Sequence, residues 1–465
     1  MSSDLLTEEA RHENALTLSA SLGGGVSSAA QALDFSVCVT ADLKDKVAWK
    51  IAEELVALLG RTVRHASLDD DRSARVEVVI GSAVRRLRCS VVSVCVKEDG
   101  ALIGHDVPQV VCATIPSVLR LLVACFAAGA ALQEGLSRAL PVHLPDPLKI
   151  SFGELGIDST AYALPIELGD AYLAGAGAIG NGLLWALRHL DVRGSLTIAD
   201  DDVVSSGNLN RQIWFTAADL NFSKAKMLAS HAQPFFQRLN LVPRKARLQE
   251  LPDRNDGAWL ARLIVAVDSR RARRRLQNEF PGEVFDASTT DIREIVLHYN
   301  KSPSPHACLS CVYEPDEEEI TREQHIAEHL GVSAADVRSE RISAESAKII
   351  ASKFHGLQEA ALEGIAYDTL FKRLCSEGQL TTQEGRRVLA PFAFVSVLAG
   401  TLLALELIRR LGAGNSERSF NYWRVSPWHP MLGRRRVLRP QQPNCSFCTD
   451  MLLRKVNSEL WNSAR

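Results

Sequence analysis

The chain has 465 residues, 46% of them apolar, which is enough for two or three domains with buried cores. The formal net charge is −2, so no overall basic field favours nucleic acid or a membrane as a partner. Two basic runs, 270–275 and 433–436, are interpreted as solvated surfaces. The N-terminus lacks the features of a signal peptide, so we expect a cytoplasmic protein whose ten cysteines are thiols or metal ligands.

The first predicted domain, residues 1–150, alternates strands and helices in an α/β pattern. Three β-rich runs are predicted to be strands: 35–41, 76–81 and 90–96. An amphipathic helix is predicted at 46–60 and a long apolar helix at 115–140, before a proline-containing linker. The cysteines of this domain lie mostly in β-rich or apolar runs and are interpreted as core residues: Cys38, Cys89, Cys95, Cys112 and Cys125.

A second α/β unit is predicted, and its first part spans residues 151–312. At 171–182 the sequence AYLAGAGAIGNG takes an apolar strand into a glycine-rich turn, and a helix with one apolar face follows. Further strands are predicted at 194–200 and 263–268. Strand, helix and strand in this order predict a parallel sheet.

Residues 313–389 are predicted to form a helical insert, because they are charged, alanine-rich and poor in strand signals. The second unit resumes at 390–465, with an apolar helix at 391–411 and a strand at 419–425. The run 388–405 is long enough for a membrane span, yet its polar residues and flanking arginines favour a helix buried in the protein. This helix resembles the long helix of the first domain, either through an internal duplication or by chance.

Gly175, Gly177 and Gly180 have the G-x-G-x-x-G spacing between a strand and a helix. Glycines there allow a tight turn and let backbone N–H groups at the helix N-terminus approach phosphate oxygens. Asp200 ends the next strand, where a carboxylate can accept hydrogen bonds from ribose hydroxyls. These features alone also fit a dinucleotide oxidoreductase.

Cationic and amide side chains follow Asp200, and a dinucleotide does not require them. They lie in one short polar stretch: Asn208, Arg211, Gln212 and Lys224. A triphosphate attacked at its α-phosphorus needs several cations to neutralise the charge that develops. Asp268, at the end of a later strand, is placed to hold Mg²⁺, which prefers one or two carboxylates plus phosphate oxygens.

The order of glycine turn, aspartate, NLNRQ, lysine and strand-end aspartate resembles the E1-like adenylating enzymes, the superfamily of ThiF, MoeB and the ubiquitin-activating enzymes. The resemblance implies a Rossmann-like adenylation domain that binds ATP and Mg²⁺. It implies that Asp200 binds ribose, that the polar stretch surrounds the phosphates, and that Asp268 serves Mg²⁺ and the attacked carboxylate. Two positions depart from the family pattern, since Gly207 replaces a usual serine and Asn221 a common glycine.

Two C-x-x-C pairs are candidate ligands of a structural zinc ion, Zn²⁺. Their thiols belong to Cys308, Cys311, Cys445 and Cys448. Four thiolates suit a closed tetrahedral site, and the wide separation of the pairs is similar to the zinc site of E1-like enzymes, which brackets the inserted region. A redox role for the pairs is the alternative.

Cys375 is the candidate nucleophile, because a thiolate can exchange acyl groups at neutral pH. It lies in the predicted insert, where ubiquitin-activating enzymes carry their catalytic cysteine, and Lys372 and Arg373 beside it favour the thiolate. A free cysteine buried on a helix is the alternative. No cysteine stands shortly before Pro391, where the MoeB and ThiF types usually have one.

The resemblance as a whole implies an E1-like enzyme that adenylates the C-terminal carboxylate of a ubiquitin-like protein. Transfer to Cys375 as a thioester and then to an E2-like conjugating enzyme would follow. The alternatives are a MoeB or ThiF-like adenylyltransferase for a sulfur-carrier protein, a dinucleotide oxidoreductase and an inactive binding scaffold.

The N-terminal domain is expected to be an inactive adenylation-like half or an accessory domain. The first arrangement would give a pseudo-symmetric monomer, and a homodimer is the other expected state. The overall size resembles compact E1-like enzymes of bacterial ubiquitin-like conjugation operons, which are associated with antiphage defence.

Overall fold

The computed structural model describes most of the chain, with short gaps. The described residues are 6–68, 71–255, 257–290, 292–315, 317–339, 341–354, 356–367, 370–371, 374, 390–412, 420–429, 432 and 435–462. They form two compact units, Met1–Tyr313 with Leu389–Arg465 and Glu314–Val388. Each unit has its own cluster of buried apolar side chains.

A six-stranded sheet forms the N-terminal part of the larger unit, in the order β2-β1-β3-β4-β5-β6. Its strands are β1 Ser36–Ala41, β2 His65–Leu68, β3 Val76–Ile80, β4 Ser90–Lys97, β5 Gly100–Gly104 and β6 Leu148–Ser151. Its helices are α1 Glu8–Leu22, α2 Val26–Leu33, α3 Lys46–Leu59 and α4 Ser117–Gly135. The strands β2, β1, β3 and β4 pair in parallel, whereas β5 and β6 pair antiparallel to their neighbours.

An eight-stranded sheet follows, in the order β14-β13-β12-β11-β10-β7-β8-β9. Its strands are β7 Ile166–Ala174, β8 Val192–Ala199, β9 Leu239–Arg244, β10 Arg262–Val265, β11 Glu283–Thr290, β12 Glu294–Lys301, β13 Tyr422–Val425 and β14 Arg436–Val437. Between β7 and the smaller unit lie the helices α5 Ala178–Leu187, α6 Lys224–Ala232, α7 Arg270–Gln277 and α8 Leu309–Val312. The predicted parallel pairing holds from β9 to β11, but β12, β13 and β14 are antiparallel.

The smaller unit is helical in its described part. Its helices are α9 Glu317–Leu330, α10 Ala334–Arg338, α11 Ala344–Lys353 and α12 Glu359–Leu362. Apolar side chains from these helices and from the segment after α12 form a separate buried cluster, which includes Leu330, Ile350 and Leu370. The chain then returns to the larger unit with α13 Ala393–Leu411 and ends with α14 Met451–Asn462.

The two sheets share one topology. The order β2-β1-β3-β4-β5-β6 corresponds, strand by strand and direction by direction, to β8-β7-β10-β11-β12-β13. The long helices occupy matching places, because α4 lies between β5 and β6 in the chain and α13 lies between β12 and β13. This match supports an internal duplication as the origin of the similarity between the two helices.

Both long apolar helices lie inside the protein. By length and composition α4 could cross a membrane, but 89% of its apolar window is buried among other residues. The helix α13 is also buried along nearly its whole length and crosses α5 at two glycines. A Cβ on Gly400 would lie 2.2 Å from the carbonyl carbon of Gly182, so only glycine permits this approach.

Two interpretations of the sequence are wrong in detail. The basic run 270–275 is not wholly solvated, because Arg273 is 2% exposed and its guanidinium binds the Asp286 carboxylate and the Ala287 carbonyl oxygen. Cys89 and Cys112 are half-buried rather than core residues. The other three cysteines of the first domain are buried.

Candidate functional site

The residues predicted to bind a nucleotide lie at the carboxyl ends of three neighbouring parallel strands. Gly175 follows β7, Asp200 follows β8 and Asp268 lies three residues beyond the end of β10. The sheet order reverses between β7 and β10, since β8 lies on one side of β7 and β10 on the other. A crevice at such a switch point is the usual ligand site of an open α/β sheet.

The glycine turn is closely packed against backbone at Gly175 and Gly180 and has open space at Gly177. Gly175 has a φ of 102°, which favours glycine, and a Cβ there would lie 2.8 Å from the carbonyl oxygen of Ala266. A Cβ on Gly180 would lie 2.3 Å from the carbonyl oxygen of Gly175, whereas a Cβ on Gly177 would meet nothing within 4 Å. Gly177 begins α5 without a side-chain cap, so the first N–H groups of this helix can bind an anionic group.

Asp200 joins the glycine turn to the polar stretch. Its Oδ2 accepts a hydrogen bond from the Ala176 N–H at 2.7 Å, and its Oδ1 accepts one from the Asp202 N–H at 2.9 Å. Burial raises the pKa of Asp200, and the positive charge of Lys224 opposes that shift. A carboxylate oxygen has a second lone pair, so Asp200 can still accept hydrogen bonds from a ribose.

Lys224 is held by a carboxylate that the sequence analysis missed. Its Nζ lies 2.9 Å from Oδ2 of Asp202, and its side chain is 11% exposed. The only sequence signal for Asp202 is its place in the acidic run that begins at Asp200. The pair fixes the lysine at the crevice, close enough to Asp200 for their charges to interact.

The NLNRQ segment forms a 3₁₀ turn over Ser206–Asn210 and then leads into Arg211. Asn208 Oδ1 accepts a hydrogen bond from the Ser205 N–H at 3.3 Å, which closes the start of this turn. Gln212 is 3% exposed, and its Oε1 has no hydrogen-bond partner among the described residues. A buried orphan acceptor beside a candidate ligand site suits a donor group on the ligand.

Arg211 is anchored to the turn that precedes it. Its Nη1 donates to the Gly207 carbonyl oxygen at 3.1 Å and to Asn210 Oδ1 at 2.7 Å. Burial lowers the pKa of Arg211, and the negative charges of Glu13 and Asp268 oppose that shift. The negative charge of Asp268 therefore acts on Arg211.

The structure accounts for both departures from the family pattern. Asn221 has a φ of 68°, the left-handed conformation in which asparagine is tolerated better than most side chains. Gly207 lies against α1, where a Cβ would come 3.3 Å from Cγ of Glu13. Asn221 thus replaces a glycine at a position that needs positive φ, and Gly207 leaves room for the N-terminal helix.

These residues fit a nucleoside triphosphate with magnesium. The uncapped α5 N-terminus and the open space at Gly177 suit phosphate oxygens, and Arg211 and Lys224 supply positive charge. Asp268 is exposed, as a carboxylate that shares Mg²⁺ with phosphate oxygens must be.

The corresponding helix of the first sheet is closed to phosphate. Oδ1 of Asp45 accepts hydrogen bonds from the N–H groups of Val47 and Ala48, both at 3.0 Å, at the start of α3. A carboxylate therefore occupies the place that is left open at the N-terminus of α5. The two halves share a topology but differ in the chemistry of this helix terminus.

The four cysteines of the two C-x-x-C pairs converge at one buried point. Sγ of Cys308 lies 3.7 Å from that of Cys311, 3.7 Å from that of Cys445 and 3.5 Å from that of Cys448. A tetrahedron with zinc–sulfur distances of about 2.3 Å has edges of about 3.8 Å. The cluster thus has the size of a zinc site, which favours metal binding over the redox alternative.

Cys375, the candidate nucleophile, lies outside the described residues, as do Lys372 and Arg373. Its catalytic role stays a prediction from the sequence.

Two family models match most of the chain between them. The model described as ThiF family matches residues 166–447, and the model described as E1 N-terminal domain matches residues 7–158. The boundary between the matches falls where the chain passes from the first sheet to the second.

Individual proteins are similar over shorter or weaker matches. The uncharacterized protein y4jF of Sinorhizobium fredii (strain NBRC 101917 / NGR234) is 25% identical over 370 residues, which cover 73% of this chain and 68% of y4jF. Ubiquitin-like modifier-activating enzyme 7 of Mus musculus is 36% identical over 109 residues, which cover 22% of this chain and only 11% of that enzyme. The crystal structure of E. coli MccB with AMPCPP and MccA is 13% identical, with a TM-score of 0.36, and the match covers 76% of this chain and 97% of MccB.

Proposed function

This chain belongs to the ThiF family and is a member of the E1-like adenylating superfamily, and from this premise we propose that it activates a ubiquitin-like protein for thioester transfer. The observation that carries the proposal is the uncapped N-terminus of α5 beside Asp200, where the charge of Lys224 acts on Asp200 and the charge of Asp268 acts on Arg211. A helix terminus, a ribose acceptor and two cations in one crevice suit ATP better than a dinucleotide.

In the first step, a carboxylate oxygen of the C-terminal glycine attacks the α-phosphorus of ATP. The bond from that phosphorus to the bridging oxygen breaks, pyrophosphate leaves and an acyl-adenylate forms. The residues of this chain contribute alignment and charge neutralisation: Asp200 holds the ribose, and Arg211 and Lys224 balance the charge that develops on the phosphates. Mg²⁺ held by Asp268 would neutralise further phosphate charge.

In the second step, the Cys375 thiolate attacks the carbonyl carbon of the acyl-adenylate. The bond from this carbon to the phosphate oxygen breaks, AMP leaves and a thioester remains, while the thiol proton has passed to solvent. An E2-like cysteine would then take the acyl group by the same exchange.

The test mixes the full chain with ATP, magnesium and ubiquitin-like proteins that end in glycine. Pyrophosphate release reports adenylation, and a non-reducing gel together with intact mass spectrometry detects a covalent adduct. Wild type is expected to release pyrophosphate and to form an adduct that a thiol reductant cleaves. Cys375→Ala should release pyrophosphate without forming the adduct, and Cys112→Ala, at a half-buried cysteine of the first domain, should behave as wild type.

Pyrophosphate release by all three proteins with no adduct in any would move the protein to the sulfur-carrier class. If wild type releases pyrophosphate with none of these proteins, activation of a ubiquitin-like protein is itself contradicted.

A further inference from the structure

A buried arginine of the N-terminal domain binds the backbone on both sides of Arg211 and Gln212. Arg61, which follows α3, is 4% exposed. Its Nη1 donates to the Leu209 carbonyl oxygen at 2.7 Å, and its Nη2 donates to the carbonyl oxygens of Ile213 at 3.0 Å and Phe215 at 2.8 Å. One side chain thus holds the backbone both before and after the candidate phosphate ligands Arg211 and Gln212.

A second tie runs from α1 to the same segment. Asn210 Nδ2 donates to Asn14 Oδ1 at 2.9 Å, and Asn14 Nδ2 donates to the Arg61 carbonyl oxygen at 2.8 Å. Both asparagines are buried, since Asn14 is 1% exposed and Asn210 is 0% exposed. Asn14 therefore links the side chain next to Arg211 with the backbone of the arginine that holds the segment.

The geometry requires a guanidinium. Its N–H groups lie in a fixed planar fork, so it can satisfy several carbonyl oxygens in different directions at once, whereas a lysine ammonium is a compact point charge. Burial lowers the pKa of Arg61 to about 10, and the negative charge of Asp219 opposes that shift. Arg61 is therefore still protonated near neutral pH.

We propose that Arg61 and Asn14 are positioning residues, through which the N-terminal domain sets the affinity of the second half for ATP. The inference rests on the proposed function, because it assumes that Arg211 and Gln212 contact the nucleotide. Neither Arg61 nor Asn14 needs to touch ATP. They act by holding the segment 209–215, since a small displacement of binding groups costs much of their effect.

The test measures the dissociation constant of the full chain for β,γ-methylene ATP with magnesium by titration calorimetry, and the melting temperature without nucleotide. Arg61→Lys, Arg61→Met and Asn14→Ala are compared with Arg64→Met. Arg64 is a matched control from the same segment, since it is exposed and its side chain contacts Ser36 and Asp34 of the first domain.

The dissociation constant is expected to rise at least about tenfold in Arg61→Lys and Arg61→Met, and by less in Asn14→Ala. Arg64→Met should bind as wild type does. A merely structural role would lower the melting temperature and the fraction of chains that bind, but would leave the dissociation constant of the folded chains unchanged.

Two failures are distinguishable. If wild type does not bind the analogue, the proposed function fails. If wild type binds and the folded variants bind with the same constant, the positioning role is overturned while the proposed function stands. Should Arg61→Met not fold, Arg61→Lys and Asn14→Ala carry the same test.

Discussion

Asp200 is the residue whose role can be tested with the least change to the protein. If its carboxylate accepts hydrogen bonds from the ribose, wild type should bind ATP about tenfold more tightly than 2′,3′-dideoxy-ATP, because hydrogen bonds to a charged group are worth about 1.5–3 kcal/mol. Asp200→Asn should lose most of this preference. Titration calorimetry of both nucleotides with both proteins measures the four constants needed.

Asp201→Asn is the control for this comparison, because Asp201 adjoins Asp200 and its carboxylate lies 3.5 Å from Arg247. It should keep the wild-type preference for the ribose hydroxyls. An equal preference in wild type and Asp200→Asn would contradict the assignment of the ribose to this residue.

The sequence allows prediction of those site residues whose role depends on their neighbours in the chain. Gly175 needs a positive φ, and Asp200 follows a strand at a spacing that the motif itself contains. Asp202 and Arg61 could not be predicted, because their partners lie 22 and at least 148 residues away in the chain. A hydrogen bond between distant segments leaves no period or spacing in a single sequence.

Among the elements, α13 and α5 cross with no room for a side chain at Gly400. A Cβ on Gly400 would lie 2.2 Å from the backbone nitrogen of Leu183, and flexible side chains cannot relieve a clash between backbones. We expect Gly400→Ala to lower the free energy of unfolding by about 2 kcal/mol or more, as overpacking of a close core contact does. Urea unfolding followed by circular dichroism measures the change.

Gly24→Ala is the matched control, since a Cβ there would meet nothing within 4 Å and its φ is ordinary. Its effect should stay within about 0.5 kcal/mol of wild type. Equal stability of Gly400→Ala and Gly24→Ala would show that the two helices do not cross at this glycine.

The elements that sequence patterns predicted are those with a clear period. The apolar faces of α3 and α5 repeat as a helix requires, and β1, β3 and β4 are short β-rich runs. The helix α1 was not predicted, because its buried positions include Asn14, Thr17 and Ser19 and so do not form an apolar face. The strand β12 and its antiparallel direction were also not predicted, because a strand carries no mark of its partner.

For the molecule as a whole, the four-cysteine cluster joins segments that are far apart in the chain. Cys308 and Cys445 are 137 residues apart. We expect the purified protein to contain about one zinc ion per chain, measured by plasma emission spectroscopy, since a closed site of four thiolates binds a single metal. Cys445→Ser should reduce the zinc content and lower the melting temperature, because metal binding contributes to folding.

Cys112→Ser removes a half-buried thiol of the first domain and should leave both quantities unchanged. A zinc-free wild type with a single cooperative melting transition would contradict a structural metal. It would return the C-x-x-C pairs to the redox alternative.

At the same scale, the α/β class and the resemblance to E1-like enzymes were recognisable from the sequence, and the family match bears both out. The shared topology of the two sheets was only suggested, by the similarity of two helices. Strand order depends on contacts between distant segments, and no local pattern in a single sequence identifies which strands pair. The monomeric or dimeric state stays a prediction.

The shared topology has a consequence for the order in which the protein is synthesised. All strands of the first sheet precede Ile166, so this half can fold while the ribosome is still at work. The second sheet must wait, because β13 and the last two thiols are made only after the whole insert. During that interval the edge of β12 is unpaired, and the finished first half, with α1 and Arg61 in place, is the surface on which the second half assembles.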